Sequence, residues 1–441
     1  MNEPSMTETI FALATAPGRA GVAILRLSGP EALAAGLALS GRQDAPASRR
    51  CLRAVFRDPA TGAALDDGLW VFFPRPHSFT GEDVVELHLH GSKAVIEAVC
   101  RVLARRPGVR PAEPGEFTRR AFLYGRMDLT QADGLADLLA AETEIQRDQA
   151  LRQMQGALWR LYDGWRTQLI EQLALLEAYL DFPDEDLPSA VQAELTAGVR
   201  AVAAAIAAHL DDGHRGERLR EGVRIALVGA PNAGKSSLLN ALTRRDVAIV
   251  TPEPGTTRDV IEVALDLGGY PVVIADTAGL RADPGVIEAE GIRRAHQWLA
   301  SADLVVLLTA PDVPEVSVAL QDTQEMLRVW NKRDLAPSPD ADRLALSIQT
   351  GAGIDRLLQT ITERVAARLA GDAGRPVLTQ ARYRSALEAC LEHLRRADAA
   401  RLPELTAEDV RLAVRAIGQI TGAVDVEAIL DVVFSRFCIG K

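Results

Sequence analysis

RIALV (Arg224–Val228) runs directly into GAPNAGKSS (Gly229–Ser237), and that junction decides the fold of the central part of the chain. The first stretch is an unbroken apolar run of strand length. The second has the spacing Gly229-x4-Gly234-Lys235-Ser236 of a phosphate-binding loop. Its glycines let backbone N–H groups close round a β-phosphate, Lys235 reaches the β/γ oxygens, and the Ser236 hydroxyl ligates Mg²⁺. Asn232, Ala233 and Ser237 line the same loop. Leu238–Leu242 continues as a helix, which completes the strand–loop–helix context this motif requires.

Downstream segments follow in the order a GTPase needs. TPEPGTT (Thr251, Pro252, Glu253, Pro254, Gly255, Thr256, Thr257) is a switch from which Thr257 can close on Mg²⁺ and the γ-phosphate. VVIADTAG (Val272–Gly279) is a strand ending in Asp276, placed to hold Mg²⁺ through water. Thr277 and Ala278 lead on to Gly279, whose N–H can meet the γ-phosphate. LRVWNKRD (Leu327–Asp334) is a strand ending in NKxD: Asp334 can accept from guanine N1–H and N2–H₂, Asn331 suits O6/N7, and Lys332 packs along the base. Ser347, Ile348 and Gln349, after a last strand, lie near the base. Every motif sits at a strand's C-terminal end, as in doubly wound sheets, so this region is read as a Ras-like P-loop GTPase domain. The glutamine that orients water in Ras-like switches is absent: its position is Leu280. Glu288, Asp283 and Glu290 are the acidic candidates for that role. Arg258 and Arg281 are the arginines within reach of the switches, and spacing fixes neither as a finger.

Working outward, residues 217–372 form this α/β unit. Residues 1–123 mix short β-rich runs with turns, including GVAILRLSG (Gly21–Gly29), LWVFFP (Leu69–Pro74) and DVVELHLHG (Asp83–Gly91). The last alternates Val85, Leu87 and Leu89 with Glu86, His88 and His90, the period of a half-buried strand. Residues 124–216 and 373–441 have helical, Leu/Ala-rich patterns. The G unit therefore reads as a domain inserted into a helical one, making a multidomain α/β plus all-α chain.

Composition sets the outer limits. With 49 Lys+Arg against 60 Asp+Glu the formal charge is −11, which argues against a surface that grips a phosphate backbone everywhere. At 48% hydrophobic and 25% charged residues, global disorder is excluded. Apolar runs such as Ala201–Leu210 are too short to span a bilayer, and MNEPSMTETI has no secretory pattern, so a cytoplasmic protein without a membrane association is expected. The 4 cysteines are scattered, which gives neither a disulfide framework nor a zinc cluster; spacing leaves the role of Cys438 open between chemical and structural, a buried inert thiol being the commoner case. Lysine is confined to Lys93, Lys235, Lys332 and Lys441. Where arginine replaces it almost everywhere else, a retained lysine marks a place that needs a compact ammonium.

The P-loop, PGTTRD, DTAGLR, NKxD and above all FCIGK (Phe437–Lys441) together resemble the MnmE (TrmE) family of tRNA-modification GTPases. The likeness extends to TAPGRAGVAILRLSG (Thr15–Gly29), SFTGEDVVELHLHG (Ser78–Gly91), PGEFTRRAFLYGRMDL (Pro114–Leu129) and DFPDED (Asp181–Asp186), nearly the whole chain.

This resemblance implies an N-terminal folate-binding and dimerisation domain that takes 5-formyltetrahydrofolate or 5,10-methylenetetrahydrofolate. Its contacts fall on Arg26, Glu86, Arg126 and Lys441. Arg126 departs from a lysine common there. The resemblance also implies a K⁺ site, formed when two GTPase domains meet, on Asn232 and the backbone of Thr251, Glu253 and Thr256; a bound K⁺ would act as an arginine finger does. Glu253 replaces a usually apolar residue, and LSIQ lacks the alanine of the usual segment. The family's water-positioning glutamate falls on Glu288. The implied activity is K⁺-dependent GTP hydrolysis within a homodimer. It is coupled to the FAD-containing partner MnmG (GidA) in a heterotetramer or larger complex that modifies the wobble uridine of tRNA at C5. Two competing readings, a ribosome-assembly or regulatory GTPase and a stand-alone folate transferase, leave FCIGK and the GTPase domain respectively without a purpose.

Overall fold

The computed structural model describes residues 7–181, 189–245, 247–249, 262–276, 297–318, 320–321, 324–340, 343–371, 376–424, 427–435 and 437–440. The chain divides into two units, one of residues 1–136 with 417–441 and one of residues 137–416.

The first unit is built on β1 (Thr9–Leu13), β2 (Ala20–Ser28), β3 (Leu52–Arg57), β4 (Ala64–Phe73), β5 (Val84–Gly91) and β6 (Val109–Pro111). They form a mixed sheet in the order β3-β4-β5-β2-β1-β6, antiparallel except for the β1–β6 pair. α1 (Ala32–Ser40) and α2 (Lys93–Ala104) belong to one face. There Leu25, Leu27, Trp70, Val85 and Leu87 meet Ala35, Leu39, Val99 and Leu103, all essentially without solvent contact. Each of the fully buried Leu and Val side chains contributes about 1.5–3 kcal/mol of burial. The alternation expected in β5 is realised: Val85, Leu87 and Leu89 are buried, while Glu86 and His88 lie on the opposite face. On that face Ile10, Ala12 and Ala112 pack with Phe117 of α3 (Glu116–Leu123) and with Phe79. α4 (Leu129–Ala140) follows.

In the second unit α5 (Glu144–Met154), α6 (Ala157–Asp181) and α7 (Ser189–Leu210) are helices of a bundle. Thr143 starts α5 with a complete capping box to Gln146. α7 corrects the apolar-run expectation: Gln192–Leu210 is long and apolar enough, by length and composition alone, to cross a membrane. Its Leu195, Val199, Val202 and Ile206 recur at helical spacing and are buried, the stripe of a bundle helix. The short α8 (Arg215–Glu221) leads into β7 (Val223–Val228), α9 (Lys235–Thr243), β8 (Glu262–Leu267), β9 (Tyr270–Asp276), β10 (Leu304–Thr309), β11 (Glu325–Trp330) and β12 (Leu344–Ala345). The order is β12-β11-β10-β7-β9-β8, parallel except for the β8 edge. All six residues of β10 are buried, as a strand covered on both faces requires. α10 (Ile354–Leu369) packs Leu357, Ile361 and Val365 into the core of this sheet. The doubly wound GTPase sheet expected from the motifs is therefore present. α11 (Ala381–Ala399) packs against α7, and α12 (Pro403–Thr421) and α13 (Glu427–Phe434) complete the chain. Residues 417–441 belong by packing to the first unit.

Candidate functional site

The phosphate loop forms at the end of β7. Gly234 takes φ 103° as the N-cap of α9 and brings no capping side chain, so the first N–H groups of the helix are left facing the loop. Lys235 is buried, and its ammonium donates to the carbonyls of Gly229 and Ala230, each at 2.8 Å. It is thereby coiled over the loop, where phosphate oxygens would also find it. The Ser236 hydroxyl donates to Asp276 Oδ2 at 2.5 Å. Two groups of the kind that hold Mg²⁺, a hydroxyl and a fully buried carboxylate, are thus in contact, which fits the ion. Asn232 stands exposed at the crest of the loop in the left-handed region, φ 65°, and Ser237 is exposed beyond it.

The base-side loop is tied to this one. Asn331 is buried; its amide donates to Ala233 O at 2.8 Å, and its oxygen accepts from the Ile348 N–H at 3.4 Å. An amide nitrogen carries two hydrogens, so this tie leaves a donor for a guanine acceptor. Lys332, in the left-handed region at φ 58°, anchors its ammonium on Asp312 at 2.5 Å. That hydrogen bond holds the Asp312 carboxyl below the usual carboxylate range. Asp312 is a partner the sequence did not suggest, since nothing in its spacing relates it to NKxD. Asp334 is exposed and has no hydrogen-bond or ion-pair partner among the described residues. Ser347 is fully buried, its hydroxyl accepting from Thr350 N–H at 3.3 Å, and Gln349 is exposed. Thr251, Pro252, Glu253, Pro254, Gly255, Thr256, Thr257, Thr277, Ala278, Gly279, Glu288 and Lys441 lie outside the described residues.

The first unit carries a second cluster. Arg26 of β2 and Glu86 of β5 are register partners and form an ion pair, Nε to Oε1 at 2.9 Å and Nη2 to Oε1 at 2.8 Å, with side chains 14% and 16% exposed. The Arg26 guanidinium lies 5.4 Å from the centre of the Phe79 ring and 5.9 Å from that of Phe117. Arg126 is exposed and runs along the same loop: a Cβ built on Gly81 would sit 3.3 Å from its Cγ. A paired carboxylate, a second cation and an aromatic face make a donor set that fits a planar heterocycle with an anionic tail. Sequence reasoning missed Phe79, although it quoted the segment that contains it.

The tail of the same unit packs close by. Phe434 and Phe437 are buried with ring centres 6.2 Å apart, and Phe434 lies 6.4 Å from Phe122. Gly440, at φ 106°, approaches Leu13 so closely that a Cβ would lie 2.2 Å from its carbonyl oxygen. Cys438 is exposed, not the buried thiol that is the commoner case, and its neighbour Ile439 is 58% exposed. The tail is held by its two phenylalanines and by Gly440, so Cys438 and Ile439 turn outward.

A family described as the MnmE helical domain matches residues 129–438, and one described as the GTP-binding protein TrmE N-terminus matches residues 9–126. The chain is 56% identical over 440 residues to a tRNA modification GTPase MnmE of Parvibaculum lavamentivorans, covering 98% of this chain and 100% of that one. A protein of the same description from Rhodospirillum rubrum is 54% identical over 455 residues, covering 98% and 99%. The mitochondrial 5-taurinomethyluridine tRNA synthase subunit GTPB3 of Rattus norvegicus is 45% identical over 463 residues, covering 98% and 93%.

Proposed function

The chain belongs to the MnmE family of tRNA modification GTPases, and from that premise we propose that it hydrolyses GTP to drive C5 modification of the wobble uridine of certain tRNAs. The observation that carries the hydrolytic half is the contact of Ser236 with Asp276 beside the buried Lys235. Bound GTP with Mg²⁺ would bring the phosphoanhydride and a cation that neutralises developing charge. Lys235 would exchange its carbonyl partners for phosphate oxygens, Ser236 and Asp276 would hold the ion, and Asp334 would offer its carboxylate to the guanine edge. Glu288 positions the attacking water.

The finer reading has further parts. The chain works as a cytoplasmic homodimer, K⁺ takes the place of an arginine finger, and an FAD-containing partner of the MnmG kind completes a heterotetramer or larger complex. A one-carbon folate is the carbon donor, held by Arg26, Glu86, Arg126 and Lys441. Asn232 supports the K⁺ part, because its left-handed backbone presents the side chain outward from the loop crest. The largely buried Arg26–Glu86 pair beside Phe79 supports the folate part.

GTP turnover by the full chain, measured in K⁺ and in Na⁺ over a range of protein concentrations, tests the hydrolytic reading. Turnover is expected to rise in K⁺ and with concentration, and Asn232→Ala to blunt the K⁺ response. Glu288→Ala should slow turnover with GTP affinity kept. Indifference to the monovalent cation would remove the K⁺ assignment, and an unchanged Glu288→Ala rate would remove that of the water.

A further inference from the structure

The segment Ser78–Asp83 is built with two sides. Ser78, Thr80 and Glu82 point inward and are buried, at 7%, 0% and 6% exposure. Phe79 and Gly81, between them, face away from that network: the Phe79 ring packs with Phe117 and lies against Arg26, and Gly81 lies against Tyr124 and Arg126. The inward side is saturated with hydrogen bonds. Ser78 Oγ donates to Glu82 O at 2.5 Å and accepts from Gly81 N–H at 3.0 Å. Ser28, on β2 two residues beyond Arg26, shares a 2.7 Å bond with Thr80 and donates to Glu82 Oε2 at 2.7 Å. The Glu82 carboxylate is gripped by Arg120 Nη1, 3.1 Å from each oxygen, with Arg120 only 3% exposed. Arg120 is itself fixed by Glu8 O at 2.9 Å and Glu116 Oε1 at 3.0 Å.

A buried ion pair costs desolvation that its Coulomb attraction barely repays, so its worth lies in fixing a geometry. We propose that the Glu82–Arg120 pair, with Ser28 and Thr80, is the positioning element of the folate site, setting Phe79 under the Arg26 guanidinium and Gly81 against Arg126. This rests on the folate reading above. Glu82 and Arg120 touch no ligand; they act through the two outward residues of the loop.

Two measurements on the full-length chain test it. In the free protein, the Arg26 Nε–H, bonded to Glu86 at 2.9 Å, is expected to exchange slowly. Glu82→Gln is expected to raise that exchange about tenfold, with the Nε–H of Arg53, paired to Asp67 at 3.0 Å on an exposed strand, unchanged as the control. Titration with 5-formyltetrahydrofolate forms the second arm. Glu82→Gln should weaken binding about tenfold and Phe79→Leu about fivefold, but the double variant no more than about tenfold, because both act through one contact. Additive losses of about fiftyfold, or an Arg26 signal indifferent to Glu82→Gln, would overturn the proposal. If Glu82→Gln fails to fold, Thr80→Val, which keeps volume and charge, replaces it in both arms. If the unaltered chain takes no folate, the folate reading falls, and the Arg26 exchange still decides whether the network positions that side chain.

Discussion

Asn331 donates its side-chain amide to the carbonyl of Ala233 across 2.8 Å, joining the base-side loop to the phosphate loop over 98 residues of sequence. The same amide nitrogen explains why residue 234 is glycine. A Cβ there would lie 2.4 Å from Asn331 Nδ2, and the backbone stands at φ 103°. The spacing of the P-loop motif and the asparagine of NKxD are thus two halves of one packing constraint. The loops that grip opposite ends of a nucleotide are set against each other before it binds.

Gly234→Ala is therefore expected to lower GTP affinity by at least about a hundredfold, from left-handed strain of about 1–2 kcal/mol together with the displaced amide. Asn331→Ala leaves the Ala233 carbonyl unpaired at a cost of about 1–3 kcal/mol. It should weaken GTP binding by about tenfold or more and lower the melting temperature of the chain. Titration with a fluorescent guanine nucleotide checks both; wild-type affinity in Gly234→Ala would show that the loop tolerates the side chain and that the tie is incidental.

By the proposed function Asp334 reads the base, and its carboxylate has no protein partner among the described residues to give up. Asp334→Asn replaces one acceptor oxygen by a donor nitrogen, so it mismatches guanine and matches xanthine. GTP affinity should fall and xanthosine triphosphate affinity should rise, the two changes together amounting to about a hundredfold or more for a pair of buried hydrogen bonds. Competition binding of the two nucleotides settles it, and equal weakening toward both would count against base reading by this residue.

The GTPase region was legible because its chemistry is local: each motif is a few residues at the end of a strand, with spacing set by backbone geometry. The alternation of β5 was legible for the same reason. Glu82 and Arg120, by contrast, are 38 residues apart and read singly as surface charges. Only the sheet brings them together, and only then does the segment around Phe79 acquire an inner and an outer side. Lys332 illustrates a smaller gap, since its anchor Asp312 comes from a loop after β10, a strand with no motif to mark it. The outward turn of Cys438 and Ile439 escaped for a related reason. Which tail side chains bury depends on the approach of Gly440 to Leu13, a contact between distant parts of the chain.

Stability should carry a pH dependence centred on His209. Its ring lies 3.1 Å from the Tyr162 hydroxyl and edge-on to Trp165, and burial pushes its pKa down from 6.5 to about 4, against an opposing pull from Asp212. Between those values the unfolded chain binds a proton that the folded chain refuses. Stability is therefore unaffected by this group above about pH 6.5 and falls as the pH drops toward 4, by at most about 3 kcal/mol. His209→Gln keeps a hydrogen-bonding group beside Tyr162 and removes the titration. Urea unfolding at several pH values should show the wild type losing stability over this window relative to the variant; parallel curves would mean that His209 is protonated in place.

The final prediction concerns the tail. Leu13 is the last residue of β1, and its neighbour Ala12 is the register partner of Arg26, so the approach of Gly440 sets the tail at the end of the strand beside the proposed folate contacts. Phe434 and Phe437 anchor it there. Lys441 follows Gly440 directly, one of 4 lysines in a chain that otherwise uses arginine, and by the proposed function its ammonium completes the one-carbon site. Deleting Cys438–Lys441 leaves both phenylalanines in place, so the fold and basal GTP hydrolysis should survive while folate binding weakens and tRNA modification is lost. Gly440→Ala is a finer probe. Its methyl group cannot occupy the space beside the Leu13 carbonyl, so the last residues must lift and folate affinity should fall by about tenfold, an amount set by left-handed strain and the lost contact. Wobble-nucleoside analysis of tRNA from cells carrying only the truncated chain decides the matter. A normal level of C5-modified uridine would mean that the tail does no more than pack against the sheet.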